Sequence, residues 1–235
     1  MIHSIFLQMK HLIYLKDSMS NYFRFLNTKR IKANFSSLSL RIRLIIMILV
    51  IACSLVGTSP ISVLAAGTTY YVDKTNGSCS DAGSGTTAAL PFCTITKGAT
   101  VAVAGDTVRV LAGSYAETVT APKSGSAGLP ITYSAAPGVT MTGNGSTSGS
   151  AFRISSKAYI TVDGFDVTGA KGDGIYISAS NHITISNNHI SYSGKPVSGS
   201  TKAGIYLTGS TDSTITGNVT DHNTQDGIRL TIGAV

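Results

Sequence analysis

The chain has 235 residues, and its 18 Lys and Arg against 11 Asp and Glu give a formal net charge of +7. The whole excess lies in residues 1–43, where eight basic residues face the single acid Asp17; the ten basic and ten acidic residues that follow cancel. A surplus confined to one terminal segment excludes a basic nucleic-acid surface on the body of the protein.

The N-terminal segment is ordered like an export signal. Arg41 and Arg43 precede the apolar run LIIMILVIACSLVG (44–57), and Pro60 and the small residues SVLAAG (62–67) follow. Cleavage after Ala65 or Ala66 starts the mature chain near Gly67, and Met19 is an alternative start. A membrane-spanning helix is disfavoured because the run is shorter than the ~20 residues a bilayer core requires. A lipoprotein anchor at Cys53, in VIAC (50–53), ranks lower because the residues after it stay apolar. The expectation is a secreted or cell-surface protein without a membrane partner once the signal is removed. Loss of Cys53 leaves Cys79 and Cys93 as an even pair in an oxidising compartment, hence a disulfide.

From Gly67 onward Gly, Ser, Thr, Ala, Asn and β-branched residues dominate, and Glu117 is the only Glu. One short helix is predicted within TITKGATVAVAG (94–105). The remainder reads as short strands between Gly, Asn, Ser and Asp turns. These strands repeat. Ile154, Ile177, Leu207 and Leu230 close equivalent strands at steps of 23, 30 and 23 residues, and the longer step contains the stretch GKPVSGS (194–200). A second strand keeps the same register, aligning Ile160, Ile183 and Ser213, then Val162, Ile185 and Ile215. Phe165, Asn188 and Asn218 align at the turn that follows.

A coil of about 23 residues cannot bury a face alone, but stacked coils can, with equivalent strands as parallel neighbours ~4.8 Å apart. The predicted fold is therefore all-β: a right-handed parallel β-helix with Gly and Asn at the bends and an Asn188–Asn218 ladder. Residues 1–66 form the N-terminal extension and signal peptide, residues 67–105 a disulfide-containing cap, and residues 106–235 the coils. Because the chain stops within a coil with no polar capping coil, it reads as truncated at its C-terminus.

The stretches TYYVDKTNGSCSDAGSGTTAALPFCTI, GDTVRVLAGSYAETV and GLPITYSAAPGV resemble the opening of secreted bacterial β-helix proteins of the pectate-lyase-like superfamily, such as chondroitinase B-like and alginate-lyase-like enzymes. The resemblance spans about Thr69 to Val235. It implies a polysaccharide in a groove along one parallel sheet, cleaved by β-elimination with a Lys or Arg base and often with Ca²⁺ held by carboxylates. No stretch matches the catalytic Lys/Arg motifs of those lyases, and the Asp-rich and GHG signatures of polygalacturonases are absent. The catalytic residues are thus not identifiable in this sequence.

Strand alternation supplies the candidate site. In FRI, IYI, IYL and IRL the aliphatics point inward, so Arg153, Tyr176, Tyr206 and Arg229 form one outward column. Two cations and two aromatics suit an acidic sugar chain, by bidentate pairing to carboxylates and ring contact with sugar C–H faces. The same column also reads as a plain sheet ladder. Asp173 and Asp226 occupy the turn before that strand, either binding substrate or Ca²⁺ or capping their turns; two acids are too few donors for Ca²⁺ alone. A second column, Tyr159, His182 and Asp212, reads as a solvated row, and His189, His222, Asp163 and Asp166 as single polar residues on turns or outer faces. Lys195 lies in the 194–200 insertion, which is placed to wall a groove.

The reading is a carbohydrate-active protein of polysaccharide-lyase type, or a binder of acidic glycans, with an acidic polysaccharide as partner and no nucleic acid. The rival reading is a non-catalytic surface or adhesive scaffold. No cofactor is assigned, with Ca²⁺ as the alternative, and a monomer is expected.

Overall fold

The computed structural model describes residues 67–146, 149–195, 199 and 201–231. The signal, its cleavage site and Cys53 lie outside the described residues, as does most of the 194–200 insertion. In chain order the first elements are β1 (Thr69–Val72), α1 (Ile95–Val101), β2 (Thr107–Val110), β3 (Gly113–Tyr115), β4 (Val119–Thr120), β5 (Ile131–Ala135) and β6 (Val139–Met141). Three nearly regular coils follow. They contain β7 (Phe152–Ser155), β8 (Ala158–Asp163), β9 (Asp166–Thr168), β10 (Ile175–Ser178), β11 (Asn181–Ser186), β12 (His189–Ser191), β13 (Ile205–Thr208), β14 (Thr214–Thr216) and β15 (Val219–Asp221). Strand β16 (Ile228–Thr231) begins the next coil.

These strands form three sheets: β1-β2-β5-β8-β11-β14 (sheet 1), β16-β13-β10-β7-β4 (sheet 2) and β15-β12-β9-β6-β3 (sheet 3). Every named strand pair is parallel, so the chain winds around one axis, contributing a strand to each sheet per coil. The predicted register is present: Ile177 pairs with Ile154 and with Leu207, and Leu207 pairs with Leu230. The 30-residue step from Ile177 to Leu207 keeps that register.

The inward columns make the core. Ile131, Ile160 and Ile183 stack in sheet 1, and Phe152, Ile175 and Ile205 in sheet 2, each at most 1% exposed. Full burial of such a side chain contributes about 1.5–3 kcal/mol relative to exposure. The columns lose their cover at the last described coil, where Leu230 is 65% exposed. Phe152 sits edge-on to Phe165 at 4.9 Å, tying sheet 2 to the turn between sheets 1 and 3.

Bends repeat along with the strands. Four columns of left-handed backbone recur: Ser156, Ala179 and Gly209; Tyr159, His182 and Asp212; Gly164, Asn187 and Gly217; Gly169, Tyr192 and His222. Gly and Asn were expected at such bends, yet two columns carry aromatic, His or Asp side chains, a conformation that costs of order 1 kcal/mol or more without Gly. Ring stacking accompanies it in both: Tyr159 on His182 at 4.4 Å and Tyr192 on His222 at 5.0 Å.

The early residues join the same stack. Helix α1 is held at its N-terminus by Thr94, whose hydroxyl accepts the Lys97 N–H, and by Glu117, which accepts the N–H groups of Ile95 and Thr96. The lone Glu thus satisfies donors that a helix start leaves without partners. Cys79 and Cys93 are disulfide-bonded, with Cα atoms 5.0 Å apart. Strand β1 is the first strand of sheet 1 and pairs with β2. Outward in sheet 1, Thr69, Thr107, Thr132, Thr161, Thr184 and Thr214 pair in unbroken succession, a six-threonine ladder.

Candidate functional site

Sheet 2 brings the predicted column together. Arg153, Tyr176, Tyr206 and Arg229 are direct register partners on β7, β10, β13 and β16. All four are partly exposed, while their strand neighbours Ile154, Ile175, Ile177 and Ile205 are buried. The two tyrosine rings meet edge to face at 5.5 Å, and a guanidinium covers each outer side: Arg153 at 4.9 Å from the Tyr176 centroid, Arg229 at 5.2 Å from that of Tyr206. Both contacts lie within cation–π range. The column is therefore an internally packed ladder as well as a polar stripe.

Its two cations are not equivalent. Arg229 donates from Nε to Asp226 Oδ2 at 2.6 Å and from Nη2 to Gln225, which holds its guanidinium over Tyr206. Among the described residues Arg153 pairs with no carboxylate, leaving its donors for a ligand oxygen.

Asp173 and Asp226 also differ. Asp173 is 7% exposed, and its Oδ1 accepts the backbone N–H of Ala203 at 2.9 Å in the next coil, which is the turn-capping role. Asp226 is committed to Arg229 at the sheet surface. The two lie two coils apart, with the Ala203 turn between them, and two carboxylates supply too few of the six to eight oxygens that a Ca²⁺ ion takes. Among the described residues no group of three or more His, Cys, Asp or Glu is arranged to hold a metal ion.

The Tyr159–His182–Asp212 row is a surface stack. His182 Nδ1 pairs with its neighbour Asn181, and among the described residues it has no hydrogen bond to Asp212. By contrast, His189, His222, Asp163 and Asp166 are not isolated. Asp163 Oδ1 accepts from Ser186 and Asn187. Asp166, His189 and His222 join with Asp221, a residue that sequence reasoning passed over, in one chain of hydrogen bonds on sheet 3. The 23-residue offset between Asp166 and His189, which pair across β9 and β12, was the available signal. Hydrogen bonds from His222 and then His189 hold the Asp221 carboxyl below its ordinary range. The bond to Asp221 in turn raises the His189 imidazole above its ordinary value.

A cleft of about 350 Å³ lies at the last described coil, lined by Leu207, Ser210, Asp212, Ser213, Ile215 and Leu230. It includes no member of the Arg–Tyr column. No helix among the described residues is long and apolar enough to cross a membrane.

Comparison with known proteins adds the following. Residues 131–234 match the family model described as the right handed beta helix region. The crystal structure of pectate lyase Pel9A aligns with 20% identity and a TM-score of 0.51, covering 71% of this chain and 50% of that one. A rhamnogalacturonan lyase aligns with 19% identity and a TM-score of 0.45, covering 72% and 63%. The chain thus spans less than two thirds of either structure. No curated protein matches it. With three parallel sheets, one strand per sheet in each coil and an Asn ladder at the turn, the chain is an all-β right-handed parallel β-helix.

Proposed function

We propose that the protein is an exported, carbohydrate-active β-helix of polysaccharide-lyase type that engages an acidic polysaccharide along sheet 2. One observation carries this reading: Arg153, Tyr176, Tyr206 and Arg229 stand in register on four consecutive strands of one parallel sheet. Successive strands lie ~4.8 Å apart, so the column extends ~14 Å along the helix axis. That presents a line of cation, ring, ring and cation to a linear polymer. The guanidinium of Arg153 pairs with a uronate carboxylate, and the partly exposed rings of Tyr176 and Tyr206 contact the apolar C–H faces of the sugars. Pectate lyase Pel9A shares the fold, which places a lyase among the activities this architecture supports.

A second reading, a non-catalytic adhesive scaffold, is favoured by the internal packing of the same column, since a Tyr–Tyr pair closed by two guanidinium groups is stable without any ligand. Incubation with pectate, alginate and chondroitin, with and without Ca²⁺, separates the two through the ultraviolet absorbance of unsaturated uronate products. Product from one substrate establishes the lyase. Binding without product, lost in Arg153→Ala with the fold intact, establishes the scaffold as a glycan binder. Neither product nor binding removes the acidic-glycan reading.

A further inference from the structure

Sheet 3 carries an arrangement outside the Arg–Tyr column. Asp166 Oδ1 lies 3.1 Å from Nδ1 of His189, and Nε2 of His189 lies 2.7 Å from Oδ2 of Asp221. The other oxygen of Asp221 lies 2.6 Å from Nδ1 of His222. Four side chains from three consecutive coils thus form one line. An ionised carboxylate only accepts, so each imidazole nitrogen facing one carries the hydrogen. His189 faces carboxylates through both nitrogens, an arrangement that favours its imidazolium form. His222 faces one through Nδ1, so its neutral form has a lone pair on Nε2, and among the described residues Nε2 has no partner. The His222 side chain is 62% exposed.

The ring of His222 is held in other ways too. It stacks on Tyr192 with an interplanar angle of 17°, and its backbone is left-handed at φ 50°. Two coils below, the equivalent bend is Gly169. A His at such a bend costs of order 1 kcal/mol relative to Gly. Its bond to the adjacent Asp221 ties no new coil to the stack. The stack on Tyr192 contributes cohesion between coils, whereas the bond to Asp221, made within one coil, fixes the orientation of the ring. The ammonium of Lys195 lies 5.2 Å from the Tyr192 ring centroid, adding a cation beside the imidazole.

We propose that His222 is a proton-transfer residue for the acidic polymer, oriented by Asp221, with Asp166 and His189 as positioning residues and Lys195 pairing with a substrate carboxylate. The identity of the polymer rests on the lyase reading above. Residues 222–227 lead directly from this bend to β16, so His222 and Arg229 are at most ~25 Å apart along the chain, within reach of one polymer. In an elimination, Nε2 takes the proton from the carbon beside the uronate carboxylate, and the C–H electron pair becomes the C=C bond. The C–O bond to the leaving sugar breaks with its pair, and the leaving oxygen takes a proton from water. The hydroxide so formed removes the proton from Nε2. Asp221 stays ionised throughout and stabilises the transient imidazolium.

The test has two independent arms. Side-chain ¹⁵N NMR of the folded chain at neutral pH should show His222 as the Nδ1–H tautomer, a preference lost in Asp221→Asn; the Nε2–H tautomer in the wild type overturns the relay. On whichever uronate polymer yields unsaturated product, His222→Gln should lose about 100-fold or more in rate. His189→Gln should shift the pH profile of the rate. His222→Gly, matching the Gly169 bend, controls for folding and should be equally inactive. Product formation with full activity in both His222 variants sinks this inference and leaves the lyase reading standing. Absence of product from every polymer sinks the lyase reading, and the tautomer then decides the relay.

Discussion

The Asn188 side-chain amide donates to Oδ1 of Asn218 at 2.9 Å, one coil further along, while its own Oδ1 accepts the N–H of Phe165 one coil back. A second hydrogen of the same amide reaches the Val162 carbonyl at 3.0 Å. One buried side chain thus satisfies backbone groups that the turn between sheets 1 and 3 removes from the ladder.

Asn188→Ala should therefore be severe for so small a change. Asn188 is 1% exposed, so truncation leaves the buried Phe165 N–H without its partner and removes one donor from the Val162 carbonyl. At about 1–3 kcal/mol for an unsatisfied buried group, roughly 2 kcal/mol of stability should be lost. The urea midpoint measures it; a shift no larger than that of a Thr184→Ala variant, at a half-buried outward position, would show that the ladder is decorative.

Gly98→Ala sets two effects against each other. Inside α1, Ala is favoured over Gly by about 1 kcal/mol. The new Cβ, however, would lie 2.6 Å from Cγ1 of Val108, a fully buried core residue. Overpacking costs about 1–3 kcal/mol, so the variant should be net destabilised by up to about 2 kcal/mol. A rise in Tm would mean that β2 yields easily at Val108.

The Cys79–Cys93 bond closes a loop with a sequence separation of 14. Loop entropy assigns it about 3 kcal/mol. Cys79→Ser should lose about that much in oxidising buffer and match the reduced wild type. An equal deficit of the variant in reducing buffer would assign the loss to packing around residue 79 instead.

The sheet 3 network should be pH-dependent on both sides. His189 has its folded value raised above 6.5, so its contribution is full below that and fades as pH rises through the folded value. Asp221 has its value lowered below 3.8, so its contribution is present above that and fades as pH falls. The stability gap between wild type and His189→Gln should thus be widest between about pH 4 and pH 6.5. Chemical denaturation across pH 3 to 9 checks this, and a flat difference would show that the bonds do not form in solution.

The three regular coils were legible because each inward position faces the same dry interior, so apolar residues must return whenever the chain completes a turn. Ile154, Ile177, Leu207 and Leu230 display that constraint directly, and Asn188 and Asn218 display its polar counterpart. The outward Arg–Tyr column followed from strand alternation alone. The earlier coils were less legible because sheet 1 steps by 38, 25 and 29 residues from Thr69 to Thr107, Thr132 and Thr161, with connections of different lengths at the corners. Only strand pairing reveals the six-threonine ladder.

Side-chain partners on the outer faces were decided by the tertiary structure. Asp173 and Asp226 occupy equivalent turn positions in sequence, yet one caps a backbone N–H in the next coil and the other pairs with Arg229. Asp221 drew no notice as a single residue and became the centre of a four-residue line once Asp166, His189 and His222 were brought beside it. Outward positions face water and carry no packing constraint that recurs in the sequence. Their chemistry depends on left-handed bends and on the register between neighbouring coils, both of which exist only after the coils have stacked.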